Sequence, residues 1–452
     1  RAAQVRHRHI PDNPLGVVLW QLGAEPFTAA AVAWGFGPKD RNLAVPGEPR
    51  NRDLFYREMT RFAKAFNPWF EQGEAQIVVA NKATLTMLAR LGRRLAYLPT
   101  DGDQPADPEL VRFGRHLKFL GEHSRFPGQQ LVLVLTDLLA AHWVVELSDL
   151  EAQNLAALDA AIAPPKGKTV LQAVEAAERV PVGPIPQDED REVFPLMTVF
   201  NQARKGVTDE KVVVPLRKGI ERFYERLVFD EVWPLLWRCL ERERKLPEGP
   251  SVDDRWQHDL KALHRHLEWV ALSGGHTRLR QTSRQAAFTL RGWEEATRLL
   301  AAHEALDDPY RMIPFIMSNE AITGKVVELD MDHYERPKKQ AVLRPRVFVQ
   351  LATRCLMPVE KALYWTRTPG SAQYTLVDKI PGAKGQGDVV VLQHETSSNV
   401  DRPKVGETAI FSIHHTGGGP PLMLRDEAPW THVRAVPESA SIESKDEVEG
   451  WE

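Results

Sequence analysis

Apolar positions recur at intervals of three and four along most of the chain up to about residue 310, and beyond that point the period shortens to two. Phe55, Met59, Phe62 and Phe66 form the stripe of an amphipathic helix, which Asn67-Pro68 is expected to close. Ser148 with Glu151 reads as a capping box ahead of Leu155, Leu158 and Ile162, and Pro164-Pro165 ends that helix. A short helix over Val170 to Glu178 precedes a polar, Pro-rich linker over Val180 to Glu192. Leu216, Ile220, Phe223 and Leu227 make the next stripe, and Pro234 kinks or restarts the helix carrying Trp233, Trp237 and Leu240. Ser251 with Asp254 caps a helix whose buried face is Trp256, Leu260, Leu263, Leu267 and Val270. A last helix runs from about Ser283 to Leu306 and ends at Asp308-Pro309.

Two runs near the start, Gly16 to Gly23 and Thr28 to Phe36, are apolar throughout, so periodicity does not separate strand from buried helix there. From Ile322 the pattern changes to strands over Ile322 to Met331, Val342 to Leu351, Ala362 to Thr366, Tyr374 to Lys379, Val389 to His394 and Ala409 to His415, with Gly and Pro between them. Short strands at that spacing predict a small closed or half-closed barrel, with Pro345 on an edge or at a bulge. The expected fold is multidomain and mainly α-helical, bundle-like, with a C-terminal small β-barrel and a mixed N-terminal block. Its expected divisions are 1–165, mixed and mainly helical; 166–192, a short helix and linker; 193–310, helical; 315–436, the barrel; and 437–452, a disordered tail with six acids against Lys445.

Composition narrows the class. The 452 residues are 43% hydrophobic and 26% charged, as in globular proteins. A formal net charge of -3 provides no global field toward phosphate, so any nucleic-acid contact has to be local. The two cysteines, Cys239 and Cys355, exclude a disulfide framework and a Cys-based zinc site and fit a reducing cytoplasm. No apolar run is long enough for a membrane helix, the longest, Leu131 to Leu147, being broken by Thr136, Asp137, His142 and Glu146. The chain opens at Arg1 with no charged-then-apolar leader, so this start reads as a boundary within a longer sequence.

Enzyme signatures are incomplete. Gly167-Lys168-Thr169 has the last three residues of a phosphate loop, but Ile162 replaces the first glycine and a helix precedes it, so Thr169 reads as an N-cap. His258, His264 and His266 lack the four-residue spacing of helix-borne metal ligands, and His414 and His415 point to opposite strand faces. No metal and no cofactor is expected. Glu328, Asp330 and Asp332 alternate along one strand beside His333, an arrangement that suits a magnesium-dependent nuclease or a solvated face. Arg298 and His303 have the separation found in some ribonucleases built on helical bundles.

The basic positions carry more. Arg278, Arg280, Arg284, Arg291 and Arg298 face only Glu294 and Glu295 across that stretch, and three of them recur every seven residues on one helix face. Arg344, Arg346, Tyr364, Trp365 and Arg367 mix cations with aromatics as single-strand binders do, although small barrels use the same residues for cores, and His415 opens a glycine-rich loop.

Asn13-Pro14-Leu15-Gly16, Trp20-Gln21-Leu22-Gly23-Ala24-Glu25-Pro26-Phe27, Gly47-Glu48-Pro49-Arg50-Asn51-Arg52-Asp53 and His414-His415-Thr416-Gly417-Gly418-Gly419 are similar to a group of large uncharacterised proteins from high-GC bacteria. The segment Gly324 to His415 resembles, at the level of fold, the accessory barrels of superfamily 1 helicases. The resemblance implies a bacterial, phage-defence setting. The function expected is a non-catalytic nucleic-acid-binding or scaffold subunit with protein partners such as an ATPase, helicase or nuclease. Its binding residues would be Arg278, Arg280, Arg284, Arg291, Arg298, Arg344, Arg346, Trp365, Arg367 and His415. The alternatives are the two nucleases above and a pure interaction scaffold.

Overall fold

The computed structural model describes residues 2–22, 25–48, 50–103, 105–184, 190–206, 210–273, 282–335, 341–370, 373–383, 385–395 and 401–417. The chain opens with strands β1 (Leu15–Leu22), β2 (Glu25–Gly37) and β3 (Asp40–Ala44). Helix α1 (Arg52–Phe70) follows, then β4 (Ile77–Val79), α2 (Lys82–Ala96), α3 (Pro108–His123), β5 (Val132–Val134), α4 (Leu135–His142) and α5 (Leu155–Ile162). Next come α6 (Val170–Ala177), α7 (Asp190–Gly206), α8 (Glu210–Arg226), a π turn over Leu227–Val232, α9 (Trp233–Arg244), α10 (Val252–Ser273), α11 (Ser283–Asp307) and α12 (Pro309–Met317). The last strands are β6 (Ala321–Asp330), β7 (Tyr334–Glu335), β8 (Val342–Leu343), β9 (Arg346–Leu351), β10 (Ala362–Trp365), β11 (Gln373–Ile380), β12 (Val389–His394) and β13 (Thr408–Ser412).

The helical-bundle expectation is corrected: the chain is 48% helix and 20% strand, and its first half is organised by a mixed sheet in the order β3-β2-β1-β4-β5. Both ambiguous apolar runs are strands. β1 pairs antiparallel with β2 and parallel with β4, and β4 is parallel to β5. Trp34, Val17, Val79 and Val134 lie in one register row and point into one core; Ala33, Val18, Val78 and Leu133 belong to the other. Being buried on both faces, these strands have no polar alternate positions, which is why their period was unreadable.

Helices α1, α2, α3 and α10 cover one face, with Phe55, Met59, Phe62, Leu91, Phe113 and Leu263 in that core. Helices α4, α5 and α7 to α9 cover the other, through Leu139, Leu158, Phe200, Ile220 and Trp233. Each core draws on residues from both 1–165 and 193–310, so Pro164-Pro165 ends a helix without separating two cores. Gly16 matters here: a Cβ on it would stand 2.9 Å from Cζ2 of Trp237, so only glycine lets α9 lie this close to β1.

Local signals also shift. Helix α1 continues through Pro68 to Phe70. Ser148 and Glu151 do bond each other, but they close a 3-10 turn, and α5 is capped instead by Asn154, whose Oδ1 accepts from the Ala156 N–H at 2.9 Å. Ser251 donates its hydroxyl to Asp307. On the outer edge of β5, the Gln129 amide donates to the Val132 carbonyl at 2.9 Å and accepts from its N–H at 3.0 Å.

The C-terminal strands form a six-stranded sheet in the order β10-β11-β12-β9-β6-β13, closed by pairing of β13 with β10. Val326, Val349, Leu363, Trp365, Leu376, Leu392 and Phe411 fill it. Pro345 splits the expected strand Val342 to Leu351 into β8 and β9. Residues 437–452 lie outside the described residues.

A polar network ties the N-terminal segment to this frame. The His7 N–H donates to Nε2 of His142 at 3.1 Å, so the other imidazole nitrogen carries the proton and donates to Glu243 at 2.5 Å. Trp143 Nε1 donates to the same carboxylate at 3.0 Å. Glu243→Ala leaves the buried His142 donor without its acceptor, and urea unfolding is expected to show a loss of about 3–5 kcal/mol, with Glu243→Gln losing less.

Buried histidines set the acid limit. Burial, with the charges of Arg311, Arg255 and Arg8 adding to it, pushes His7 from 6.5 down to about 3, and burial beside Lys118 pushes His266 down to about 4. His116, whose Nδ1 lies 3.0 Å from Nε2 of His266, is also held well below its ordinary value by burial. The unfolded chain binds these protons below pH 6.5 and the folded chain does not, so this stability is complete above pH 6.5 and falls as pH drops toward 4. Denaturation across pH 7 to 4 should show His266 alone contributing a loss of about 3 kcal/mol.

Candidate nucleic-acid interface

Helix α11 begins with a reciprocal cap: Thr282 Oγ1 accepts from the Gln285 N–H at 3.2 Å, and the Gln285 side chain accepts from the Thr282 N–H at 3.0 Å. Of its length only Ala302 and Ala305 are buried. The 3.6 period places Arg284, Phe288, Arg291, Glu295, Arg298 and Ala302 on one face. That face runs from the molecule's body at Ala302 to an exposed end at Arg284.

Arg298 is the hinge between helix and closed sheet. Its Nη1 donates to the His415 carbonyl and its Nη2 to the Gly417 carbonyl, both at 2.7 Å, while Glu295 accepts from Nε at 3.0 Å and from Nη2 at 2.6 Å. His414 turns inward, edge-on to Phe315 of α12 at 4.2 Å, and His415 turns outward with its ring 5.0 Å from Tyr364. Burial lowers both histidines, with the Arg298 charge adding to the effect, so neither brings a positive charge at neutral pH. The structure therefore joins Arg298 and His415, and extends the same ridge upward through Arg291, Phe288 and Arg284. Arg284 lies over the Phe288 ring at 5.9 Å, and Arg291 stands 3.8 Å from Glu294. Phe288, 44% exposed, was missed in the sequence, although its place four after Arg284 and three before Arg291 was visible.

The cationic surface expected on the closed sheet is not assembled. Arg344 faces Glu395 at 3.5 Å, Arg346 donates twice to Gln393 at 3.1 Å and faces Glu335 at 3.5 Å, and Arg367 meets Glu407 at 2.5 Å. Trp365 is 2% exposed and belongs to the interior, because the register that turns Tyr364 outward turns its neighbour inward. Arg278 and Arg280 lie outside the described residues.

Neither nuclease constellation forms. Strand β6 ends at Asp330, so Asp332 lies beyond it in a turn; His333 lies 3.7 Å from Asp330, and among the described residues no three His, Cys, Asp or Glu side chains are placed to hold a metal ion. Arg298 and His303 point about 140° apart around α11, and the Arg298 donors already engage protein oxygens. The carboxyl ends of β1 and β4, where open α/β sheets receive ligands, are filled by the chain itself. Gln21 N–H donates to the Pro184 carbonyl and Asn81 Nδ2 to the Gly183 carbonyl, each at 2.9 Å.

No protein-family model, curated protein or solved structure matches this chain. Among the described residues no helix is long and apolar enough to cross a membrane.

Arg298→Ala is expected to lower stability by about 2 kcal/mol and to speed amide exchange in β13, while Arg298→Lys, lacking the fork, recovers only part. Hydrogen exchange on the two variants checks this.

Proposed function

We propose that this chain is a non-catalytic nucleic-acid-binding subunit of a bacterial multiprotein assembly. The observation that carries the reading is the exposed first half of α11, where two arginines flank an exposed aromatic ring at positions i, i+4 and i+7, on the helix face that continues to Arg298 and the His415 carbonyl it holds. Guanidinium groups take phosphate and an aromatic ring takes an unstacked base, so single strands are the preferred ligand. With the sheet arginines held by acids, few phosphates are neutralised, and the salt dependence is correspondingly shallow. The sequence resemblance supports a setting in defence against foreign DNA, with an ATPase, helicase or nuclease partner supplying the chemistry.

Leu290, 57% exposed, and Trp293, 37% exposed, lie on a different face of the same helix and favour a second reading, a protein-interaction scaffold.

Fluorescence anisotropy with labelled single-stranded DNA tests the two. Binding at low salt is expected, with a log–log salt slope of roughly -2. Arg284→Glu with Arg291→Glu should abolish it, and Phe288→Ala should weaken it about tenfold. Absence of binding at low salt, or binding indifferent to the arginine pair, selects the scaffold.

A further inference from the structure

Arg238 and Arg242 stand one turn apart on α9 and share a single brace. Asp159 of α5, almost fully buried, accepts from Arg238 Nε at 3.0 Å and Nη2 at 2.8 Å through one oxygen, and from Arg242 Nη2 at 2.5 Å through the other. One carboxylate thus fixes two guanidinium forks side by side and leaves the group with net positive charge. Among the described residues, Nη1 of neither arginine makes a hydrogen bond, and the Arg238 side chain is 57% exposed.

These forks open onto a cavity of about 770 Å³ between α5, α6 and α9, joined through the same two arginines to a second of about 400 Å³. Lys168 enters the first and Lys245 the second. Lys168 is the lysine of the incomplete Gly167-Lys168-Thr169 motif. Thr169 spends its hydroxyl capping α6, and Lys168 beside it lines the cavity. Opposing charge comes from Glu231 in the first cavity and Glu241 in the second, and Glu241 is engaged by Arg244 at 2.5 Å. The remaining wall is apolar and flat, made by Ala160, Ala173, Ala176 and Leu235.

We propose that this cavity binds a phosphate-bearing small molecule of nucleoside diphosphate size. Two pre-set forks suit adjacent phosphoryl groups, because the entropy of holding the guanidiniums is already lost to the Asp159 brace. Lys168 adds a mobile point charge, the alanine wall accepts a planar ring without a competing side chain, and the volume lies within the ligand-pocket range. The site is separate from the α11 ridge and does not depend on the nucleic-acid reading.

Isothermal titration with ADP, and with inorganic pyrophosphate as competitor, tests it. Saturable one-to-one ADP binding is expected, displaced by pyrophosphate and weakened at least about tenfold in Lys168→Ala and in Arg238→Ala. Arg284→Glu with Arg291→Glu should leave it unchanged. No saturable signal from either probe at millimolar concentration overturns the assignment, as does equal affinity in the Lys168 and Arg238 variants or loss of binding in the α11 variant. Lys168 is exposed and caps nothing, so its variant stays folded and keeps the test decisive.

Discussion

A strand apolar on both sides has to be covered on both sides, and that requirement at β1 organises the first three quarters of the molecule. Val17 and Leu19 face one core, Val18 and Trp20 the other. Helices must therefore sort to two layers, and the chain crosses between them: α1 to α3 on one side, α4 and α5 on the other, α7 to α9 back over the latter, α10 over the former. Gly16 allows one of these approaches, where Trp237 lies over the strand. The closed sheet is then added at one end through α12, Phe315 and the carbonyls that Arg298 holds.

Arginine in this protein mostly acts as a brace. Arg344, Arg346 and Arg367 each hold an acid or amide on the closed sheet, Arg217 reaches Glu58 between α8 and α1 at 3.1 Å, and Arg255 donates to the His7 carbonyl at 2.9 Å. What distinguishes α11 and the Asp159 cluster is geometry: in both, arginines recur one or two turns apart on one helix.

Legibility followed locality. The Phe55 stripe, the Thr169 cap and the stop at Asp308-Pro309 depend on neighbours in sequence and could be read from it. The strands β1 and β2 could not, since Val17 to Trp20 show the same unbroken apolar run that a core helix shows. Ser148 with Glu151 met its spacing rule, but Asn154 stood closer to the helix and took the cap. Trp365 and Tyr364 are adjacent, and only the pairing of β10 with β11 and β13 decides which of them is wet. On the binding face the seven-residue recurrence of Arg284, Arg291 and Arg298 was visible, whereas the two carbonyls that Arg298 holds lie more than a hundred residues away. Asp159 and Arg238, separated by 79 positions, left no local trace.

The Gln129 side chain on β5 has an effect beyond its own two hydrogen bonds. By occupying the outward amide and carbonyl of Val132, it does on that margin what another strand would do. A second molecule seeking to add its own backbone there finds that rung already taken, so a short side chain guards the parallel side of the sheet against self-association and amyloid-type growth.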